Sequence, residues 1–128
     1  MYDKIKILIA DDEGITALDL KLTLQKLGFN NIIIALNGIE TLDKYYSQNP
    51  DIVLLDIIMD HRLEGIETAK AVKEDNINKP IIFITASTDA ATYREAEKIN
   101  PVAIIIKPFT ESELSIAITK ALKELINA

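Results

Sequence analysis

The stretch Ile52-Val53-Leu54-Leu55-Asp56 decides the fold, because four apolar residues run directly into a carboxylate. A short apolar run of this kind is typical of a strand that is buried on both faces in a parallel sheet. Asp56 follows at the carboxyl end of that strand, which is the edge where open parallel sheets bind ligands. Taken alone, Asp56 is more simply interpreted as a cap of the next turn or helix. The rest of the chain has to decide between these interpretations.

Strand and helix patterns alternate along the whole chain. Strands are predicted at residues 5–10, 31–36, 52–56, 80–85 and 102–107, and helices at about 14–27, 38–48, 65–75, 89–99 and 110–126. Alternation with nearly continuous apolar strands indicates a parallel sheet covered by helices on both faces. We therefore predict an α/β fold, a flavodoxin-like, doubly wound, five-stranded parallel sheet in the order 2-1-3-4-5 with five helices.

Composition limits the classes of function. The 128 residues, 48% hydrophobic and 27% charged, predict one globular domain over residues 1–128. A net charge of -6 argues against direct binding of nucleic acid. The absence of cysteine excludes disulfides, thiolate metal sites and thiol nucleophiles. No apolar run approaches the roughly 20 residues of a membrane span, and the first residues lack a signal-peptide layout. We expect a soluble cytoplasmic protein without membrane contacts.

Charged or hydroxyl-bearing residues stand at the ends of four predicted strands. Asp11 and Asp12 follow the first strand, Asp56 the third, and Thr85 and Lys107 end the fourth and fifth. The predicted topology gathers them in one crevice, where three carboxylates repel one another and need a hard cation such as Mg²⁺. A lysine and a hydroxyl suit phosphate oxygens. The set matches phosphoryl transfer onto an aspartate.

Each of these residues also has a simpler interpretation. Asp11 or Asp12 could cap the first helix, and Thr85 could cap the fourth helix or end a strand by β-propensity. Lys107 could be a solvated strand end. Their joint occurrence at strand ends that meet at one edge of the sheet favours a site over coincidence.

Four short segments carry a resemblance to a known family. They are Ala-Asp-Asp-Glu at 10–13, Leu-Leu-Asp-Ile at 54–57, Thr-Ala at 85–86 and Lys-Pro-Phe at 107–109. In this order and spacing they resemble the receiver domains of two-component response regulators, over essentially the whole chain. The resemblance implies a signalling module that passes information by changing its surface and turns over no separate substrate. It would promote only its own phosphorylation and dephosphorylation.

The resemblance also implies roles for single residues in the acidic part of the site. Asp56 would accept a phosphoryl group from a histidine kinase or a histidine phosphotransfer protein. Asp11 and Asp12 would hold Mg²⁺ together with Asp56 and the backbone carbonyl of Ile58. The side chains of Ile58 and Ser87 would flank the approach of the water that hydrolyses the phosphoryl group. The signal would pass on through a homodimer of the chain or to a downstream output protein.

A second set of implied roles concerns the phosphoryl oxygens. Thr85 and Lys107 would contact them, and the small side chain of Ala86 would leave room for them. The peptide bond between Lys107 and Pro108 would be cis, which a bond before proline permits at modest cost. The family's usual aromatic residue three positions before the lysine is replaced here by Ile104, so an aromatic gate at that position is not expected.

The loop after Asp56 is a further departure from the family's pattern. It lacks the proline that many receivers carry and has one residue more. We interpret Asp60 as a surface charge and His61, the only histidine, as a solvated loop residue.

Other functions for the same fold fit less well. An aspartate-nucleophile phosphohydrolase of the haloacid dehalogenase type generally has a second aspartate two residues after the nucleophile, where this chain has Ile58. A flavodoxin needs a phosphate-binding loop after the first strand, and Asp11 and Asp12 would repel a flavin phosphate. A pseudo-receiver is disfavoured because every acidic position is filled.

Two helices show apolar stripes that bear on partners. The last helix has a stripe expected in the core, formed by Leu114, Ala117, Ile118, Ala121, Leu122 and Leu125, with Ile116 projecting opposite. The first helix has two stripes, one formed by Ala17, Leu20, Leu24 and Leu27 and the other by Ile15, Leu18 and Leu22. One must face the sheet. The other either packs partly on the last helix, or consists of ordinary scattered surface residues, or, through Leu18 or Leu22 together with Ile116, marks a kinase-docking or dimer surface.

Overall fold

The computed structural model describes residues 2–127 and contains one five-stranded sheet. The strands are β1 Lys6–Ala10, β2 Asn31–Ala35, β3 Ile52–Leu55, β4 Ile81–Thr85 and β5 Ala103–Ile106. All pairings are parallel, and the order is β2-β1-β3-β4-β5. The predicted fold and strand order are confirmed. The two residues that close the predicted single domain, 1 and 128, lie outside the described range.

Five helices connect and follow the strands. They are α1 Gly14–Lys26, α2 Gly38–Gln48, α3 Glu64–Asp75, α4 Ala90–Glu97 and α5 Glu111–Asn127. Each predicted element is present, and its ends shift by at most two residues. The shifts have simple causes, such as Asp89 serving as the N-cap of α4, so that the first helical residue is Ala90. Among residues 2–127, no helix combines the length and apolar character that crossing a bilayer requires.

Helices cover both faces of the sheet because side chains alternate along each strand. In β1, Ile7 and Ile9 pack into one core layer with residues of α1 and α5. The intervening Leu8 and Ala10 pack into a second layer with residues of α2, α3 and α4. Burial on both faces explains why the central strands are apolar at every position, and it leaves polar residues to the strand ends.

Helix α1 resolves the question of its two apolar stripes. Ala17, Leu20 and Leu24 are buried against the sheet. Ile15, Leu18 and Leu22 remain 87%, 51% and 52% exposed, so packing of this stripe on the last helix does not cover it. In α5 the predicted core stripe is confirmed, with its first four members buried and its last two half-buried, while Ile116 is 68% exposed.

Candidate functional site

The three carboxylates predicted to cluster lie together at the carboxyl edge of the sheet. Strands β1 and β3 are neighbours in register, and the backbone N–H of Asp56 donates to the carbonyl of Ala10 at 2.9 Å. Asp11, Asp12 and Asp56 each offer a carboxylate oxygen, and these oxygens lie within 4.8 Å of one another. Asp11 and Asp56 are buried, whereas Asp12 is exposed. The pairing of two buried strands therefore builds the acidic site.

Lys107 joins the buried carboxylates. Its Nζ donates to Asp11 Oδ2 at 2.9 Å and to Asp56 Oδ2 at 3.0 Å. It also lies 3.6 Å from the carboxylate of Glu13, a neighbour that the sequence did not predict. The peptide bond that follows, between Lys107 and Pro108, is cis, as the resemblance implied. A single ammonium group thus partly neutralises the cluster.

Burial dominates the electrostatics of Asp56. Removal from water raises the pKa of this carboxyl from its ordinary 3.8 to about 6, and the hydrogen bond and charge of Lys107 offset only part of that rise. For Lys107, burial lowers the pKa but the bonds to Asp11 and Asp56 raise it by more, so the net shift is upward. Asp56 therefore sits where its negative charge needs further stabilisation.

The donor set fits a hard divalent cation. All three clustered ligands are carboxylates, and no nitrogen or sulfur ligand joins them among residues 2–127. Mg²⁺ is bound in proteins by one or two carboxylates with waters completing its shell. Two buried carboxylates and an exposed one match that requirement, because the exposed Asp12 leaves a side of the site open to water.

The simpler interpretation of the carboxylates as caps accounts for only part of their contacts. The N-cap of α1 is Glu13, and no side chain caps this helix. Asp11 Oδ1 accepts the backbone N–H of Glu13 at 2.9 Å, and Asp56 Oδ1 accepts that of Ile58 at 3.2 Å. Both carboxylates thus stabilise local turns with one oxygen while the other oxygen faces Lys107.

Thr85 ends β4 at the same edge of the sheet and is 2% exposed. Its carbonyl accepts the backbone N–H of Lys107 at 2.8 Å, and its Oγ1 accepts that of the half-buried Ser87 at 3.1 Å. Thr85 does not cap α4, because Asp89 accepts the N–H of Thr92 there. The residue after Thr85, Ala86, is exposed.

The loop between β3 and α3 covers one side of the cluster. Ile58 is 36% exposed and follows the acceptor candidate by two residues, while the next residue, Met59, is 0% exposed. Asp60 and His61 are exposed, as predicted. The backbone N–H of Asp60 donates to Asp12 Oδ2 at 2.9 Å, a contact that the sequence did not predict.

Comparison with known proteins agrees with this geometry. The family described as "Response regulator receiver domain" matches residues 7–119. Chemotaxis protein CheY of Thermotoga maritima is 34% identical over 118 residues, which is 92% of this chain and 98% of that protein. The crystal structure of the signal receiver domain of a modulated diguanylate cyclase from Desulfovibrio desulfuricans G20 superposes with a TM-score of 0.84 at 33% identity, covering 96% of this chain and 98% of that one.

Some relatives are longer than this chain. Sensory transduction protein LytT of Oceanobacillus iheyensis is 34% identical over 125 residues, which is 95% of this chain but 50% of that protein. The chain thus spans about half the length of this relative.

Proposed function

This chain belongs to the response regulator receiver domain family, and from that premise we propose that Asp56 is its phosphoryl acceptor. The observation that carries the proposal is the bridge of Lys107 to Asp56 at 3.0 Å and to Asp11 at 2.9 Å, at an edge where three carboxylates meet. The donor would be a phosphohistidine of a histidine kinase or of a histidine phosphotransfer protein.

In the proposed reaction, a carboxylate oxygen of Asp56 attacks the phosphorus atom of the donor. The bond from phosphorus to the imidazole nitrogen breaks, a bond from phosphorus to the carboxylate oxygen forms, and the imidazole keeps the electron pair and takes up a proton. Only the ionised form of Asp56 can attack, so the raised pKa of Asp56 makes charge stabilisation part of the mechanism. A bound Mg²⁺ would supply that stabilisation and would also neutralise the phosphoryl oxygens.

The remaining site residues have supporting roles. Asp11, Asp12 and the backbone carbonyl of Ile58 would hold the metal together with Asp56. Lys107 Nζ already donates a hydrogen bond to Asp56 Oδ2, so its ammonium group can form a hydrogen bond to a phosphoryl oxygen on Asp56 with little displacement.

Thr85 carries the structural response. Its Oγ1 accepts the N–H of Ser87 and keeps its own proton free to donate to a phosphoryl oxygen. The carbonyl of the same residue accepts the N–H of Lys107, so a shift of Thr85 moves both the loop that leads to α4 and the end of β5. We infer that this movement changes the surface that an output protein, an output domain or a second copy of the chain recognises. Small Ala86 would leave room for the phosphoryl group, and Pro108 would line the site next to Lys107.

The proposed activity is limited to the protein's own phosphorylation and dephosphorylation. It is tested with acetyl phosphate and Mg²⁺, followed by intact-mass measurement. The wild type is expected to gain one phosphoryl group, and chelation of the metal or Asp56→Asn should prevent the gain. Asp60→Asn serves as the control, because it removes an exposed carboxylate of the neighbouring loop and should label like the wild type. Equal labelling of the Asp56→Asn variant would refute the assignment.

A further inference from the structure

The loop between β3 and α3 contains a tight hairpin that approaches the metal cluster. Met59 and Arg62 exchange two backbone hydrogen bonds, at 3.0 Å and 3.1 Å. The two residues between them, Asp60 and His61, have φ values of 53° and 59°. Two central residues with positive φ are the mark of the type I′ turns that close two-residue hairpins. Aspartate is a usual first residue of such a turn, but His61 stands at the second position, where glycine is usual.

The hairpin is anchored on both sides. The side chain of Met59 is 0% exposed in the core, so the first arm of the hairpin is fixed. After the second arm, the carboxylate of Glu64 lies 3.4 Å from Arg62 and accepts a hydrogen bond from the backbone N–H of Gly38 at the start of α2. Because both ends of the turn are held, its backbone keeps the strained positive φ values, which would relax in a loop without such anchors.

The tip of this hairpin contacts a proposed metal ligand. The backbone N–H of Asp60 donates to Asp12 Oδ2 at 2.9 Å. Asp11 and Asp56 are held by Lys107, but Asp12 is exposed, and among residues 2–127 no other hydrogen bond to its carboxylate is found. The orientation of Asp12 therefore depends on the turn.

We propose that the turn at Asp60 and His61 is a positioning element, which holds Asp12 through Oδ2 and so presents Oδ1 to a divalent cation. This inference rests on the proposed function, because it assumes that the acidic cluster is a Mg²⁺ site. Positive φ at both residues closes the hairpin whose tip carries the Asp60 N–H, so the proposal depends on the backbone conformation and not on the two side chains.

The restraint has a consequence for metal choice. Mg²⁺ requires a nearly octahedral shell and accepts one oxygen from each carboxylate, whereas Ca²⁺ takes six to eight oxygens and often binds a carboxylate through both. A carboxylate whose Oδ2 accepts a hydrogen bond from an N–H is suited to binding a metal through one oxygen, as Mg²⁺ requires. The turn therefore favours Mg²⁺ over Ca²⁺ at this site.

The test compares two substitutions of His61 that both remove the imidazole. Val is β-branched and disfavours positive φ, whereas Gly adopts it freely. Calorimetric titration of the full chain with Mg²⁺ alone, without phosphodonor, should show about tenfold weaker binding for His61→Val. Binding of Ca²⁺ should weaken less, so the preference for Mg²⁺ falls. His61→Gly should bind like the wild type or more tightly, and Asp60→Asn, which keeps the backbone donor, should match the wild type.

A matched control separates metal positioning from general strain. Asn100 also has positive φ, at 59°, and lies after α4, away from the carboxylates. Asn100→Val should lower thermal stability without changing Mg²⁺ affinity. Equal affinities of the wild type and His61→Val would overturn the proposal, and so would equal weakening by Val and Gly, since that result would assign the effect to the imidazole.

A second measurement on the wild type covers the case in which His61→Val does not fold. Amide hydrogen exchange should be slow at Asp60 and fast at His61, with and without Mg²⁺. Equally fast exchange at both would overturn the proposal. Labelling of Asp56 by acetyl phosphate is read separately, so failure of the turn proposal leaves the phosphoacceptor proposal standing. Absence of any Mg²⁺ binding by the wild type would contradict both.

Discussion

A Cβ atom on Gly65 would lie 1.9 Å from the carbonyl oxygen of Asp56. The second residue of α3 therefore packs directly on the backbone of the proposed acceptor, and the N–H of Gly65 also donates to the carbonyl of Ile57 at 2.9 Å. A contact this short leaves space for a hydrogen atom but for no side chain. The position of Asp56 is thus fixed from behind by the start of a helix.

Replacing Gly65 tests this contact. Gly65→Ala must displace α3 or the backbone of Asp56, and we expect a loss of about 2 to 4 kcal/mol in unfolding free energy, together with slower labelling by acetyl phosphate. The control is Gly14→Ala at the start of α1, where an added Cβ meets nothing within 4 Å. Chemical unfolding and labelling rates check both variants. A Gly65→Ala protein as stable and as reactive as the control would contradict the account.

The pH dependence of stability follows from the raised pKa of Asp56. This carboxyl titrates near 3.8 in the unfolded chain and near 6 in the folded protein. Between these pH values the carboxyl of Asp56 is protonated in the folded state and ionised in the unfolded chain. The stabilisation that the protonated carboxyl gives the folded state at low pH is therefore lost as the pH rises from about 4 to 6. Above that window the buried charge destabilises the metal-free fold by on the order of 2 kcal/mol.

Asp56→Asn should therefore stabilise the metal-free protein at neutral pH and have little effect near pH 4. Lys107 keeps its bond to Asp11 in this variant, so no buried cation loses its last partner. Urea unfolding in the presence of a chelator, repeated across pH, measures the difference, with Asp60→Asn as the exposed control. A variant less stable than the wild type at neutral pH would show that Lys107 outweighs burial.

Ile58 is predicted to prolong the phosphorylated state. Its apolar, β-branched side chain is 36% exposed and its N–H donates to Asp56 Oδ1 at 3.2 Å, so it stands next to the reacting group and cannot orient a water. We expect slow self-dephosphorylation, and Ile58→Asn should speed it by up to about tenfold, or roughly 1.4 kcal/mol of barrier. Loss of phosphate from the purified phosphoprotein at fixed Mg²⁺ gives the rates. The Ile58→Val variant should lose its phosphoryl group slowly. If Ile58→Asn loses it no faster than Ile58→Val, Ile58 does not shield the phosphoryl group.

The exposed apolar side chains of α1 and α5 are predicted to contact partners. Leu18 is 51% and Ile116 is 68% exposed. Leu18→Glu and Ile116→Glu should slow phosphorylation by the cognate kinase or weaken self-association by about tenfold, while labelling by acetyl phosphate stays unchanged. Ile77→Glu is the control, because Ile77 is 72% exposed in the loop after α3. Unchanged kinase transfer and unchanged sedimentation would leave these residues as ordinary surface.

The fold was predictable because its determinants are local and periodic. Apolar runs such as 52–55 cannot be solvated on either face, and Gly28, with φ of 100°, follows the C-cap residue of α1, next to the helix end predicted at about residue 27. Strand ends then follow from the runs, and the topology brings Asp11 and Asp56 together. The exposure of Ile15, Leu18 and Leu22 was not predictable, because the apolar periodicity allows either of two faces of α1 to pack on the sheet and only the packing selects one.

The contacts of the loop after Asp56 could not be predicted for a different reason. Aspartate and histidine tolerate positive φ but do not require it, so without the usual glycine the sequence does not specify this turn, and the donor to Asp12 is a backbone group. The one residue by which this loop exceeds the family's pattern is the only hint. Backbone donors and close approaches such as that of Gly65 emerge only from three-dimensional packing.

The most direct test of the central claim is to locate the phosphoryl group. The protein is phosphorylated with acetyl phosphate and Mg²⁺ and then treated with borohydride, which reduces an aspartyl phosphate to homoserine, before peptide mapping by mass spectrometry. We predict homoserine at Asp56 and unchanged aspartates at Asp11, Asp12 and Asp60. Homoserine at another aspartate with Asp56 intact, or no reduction in protein shown to bind Mg²⁺, would contradict the assignment of Asp56 as the acceptor.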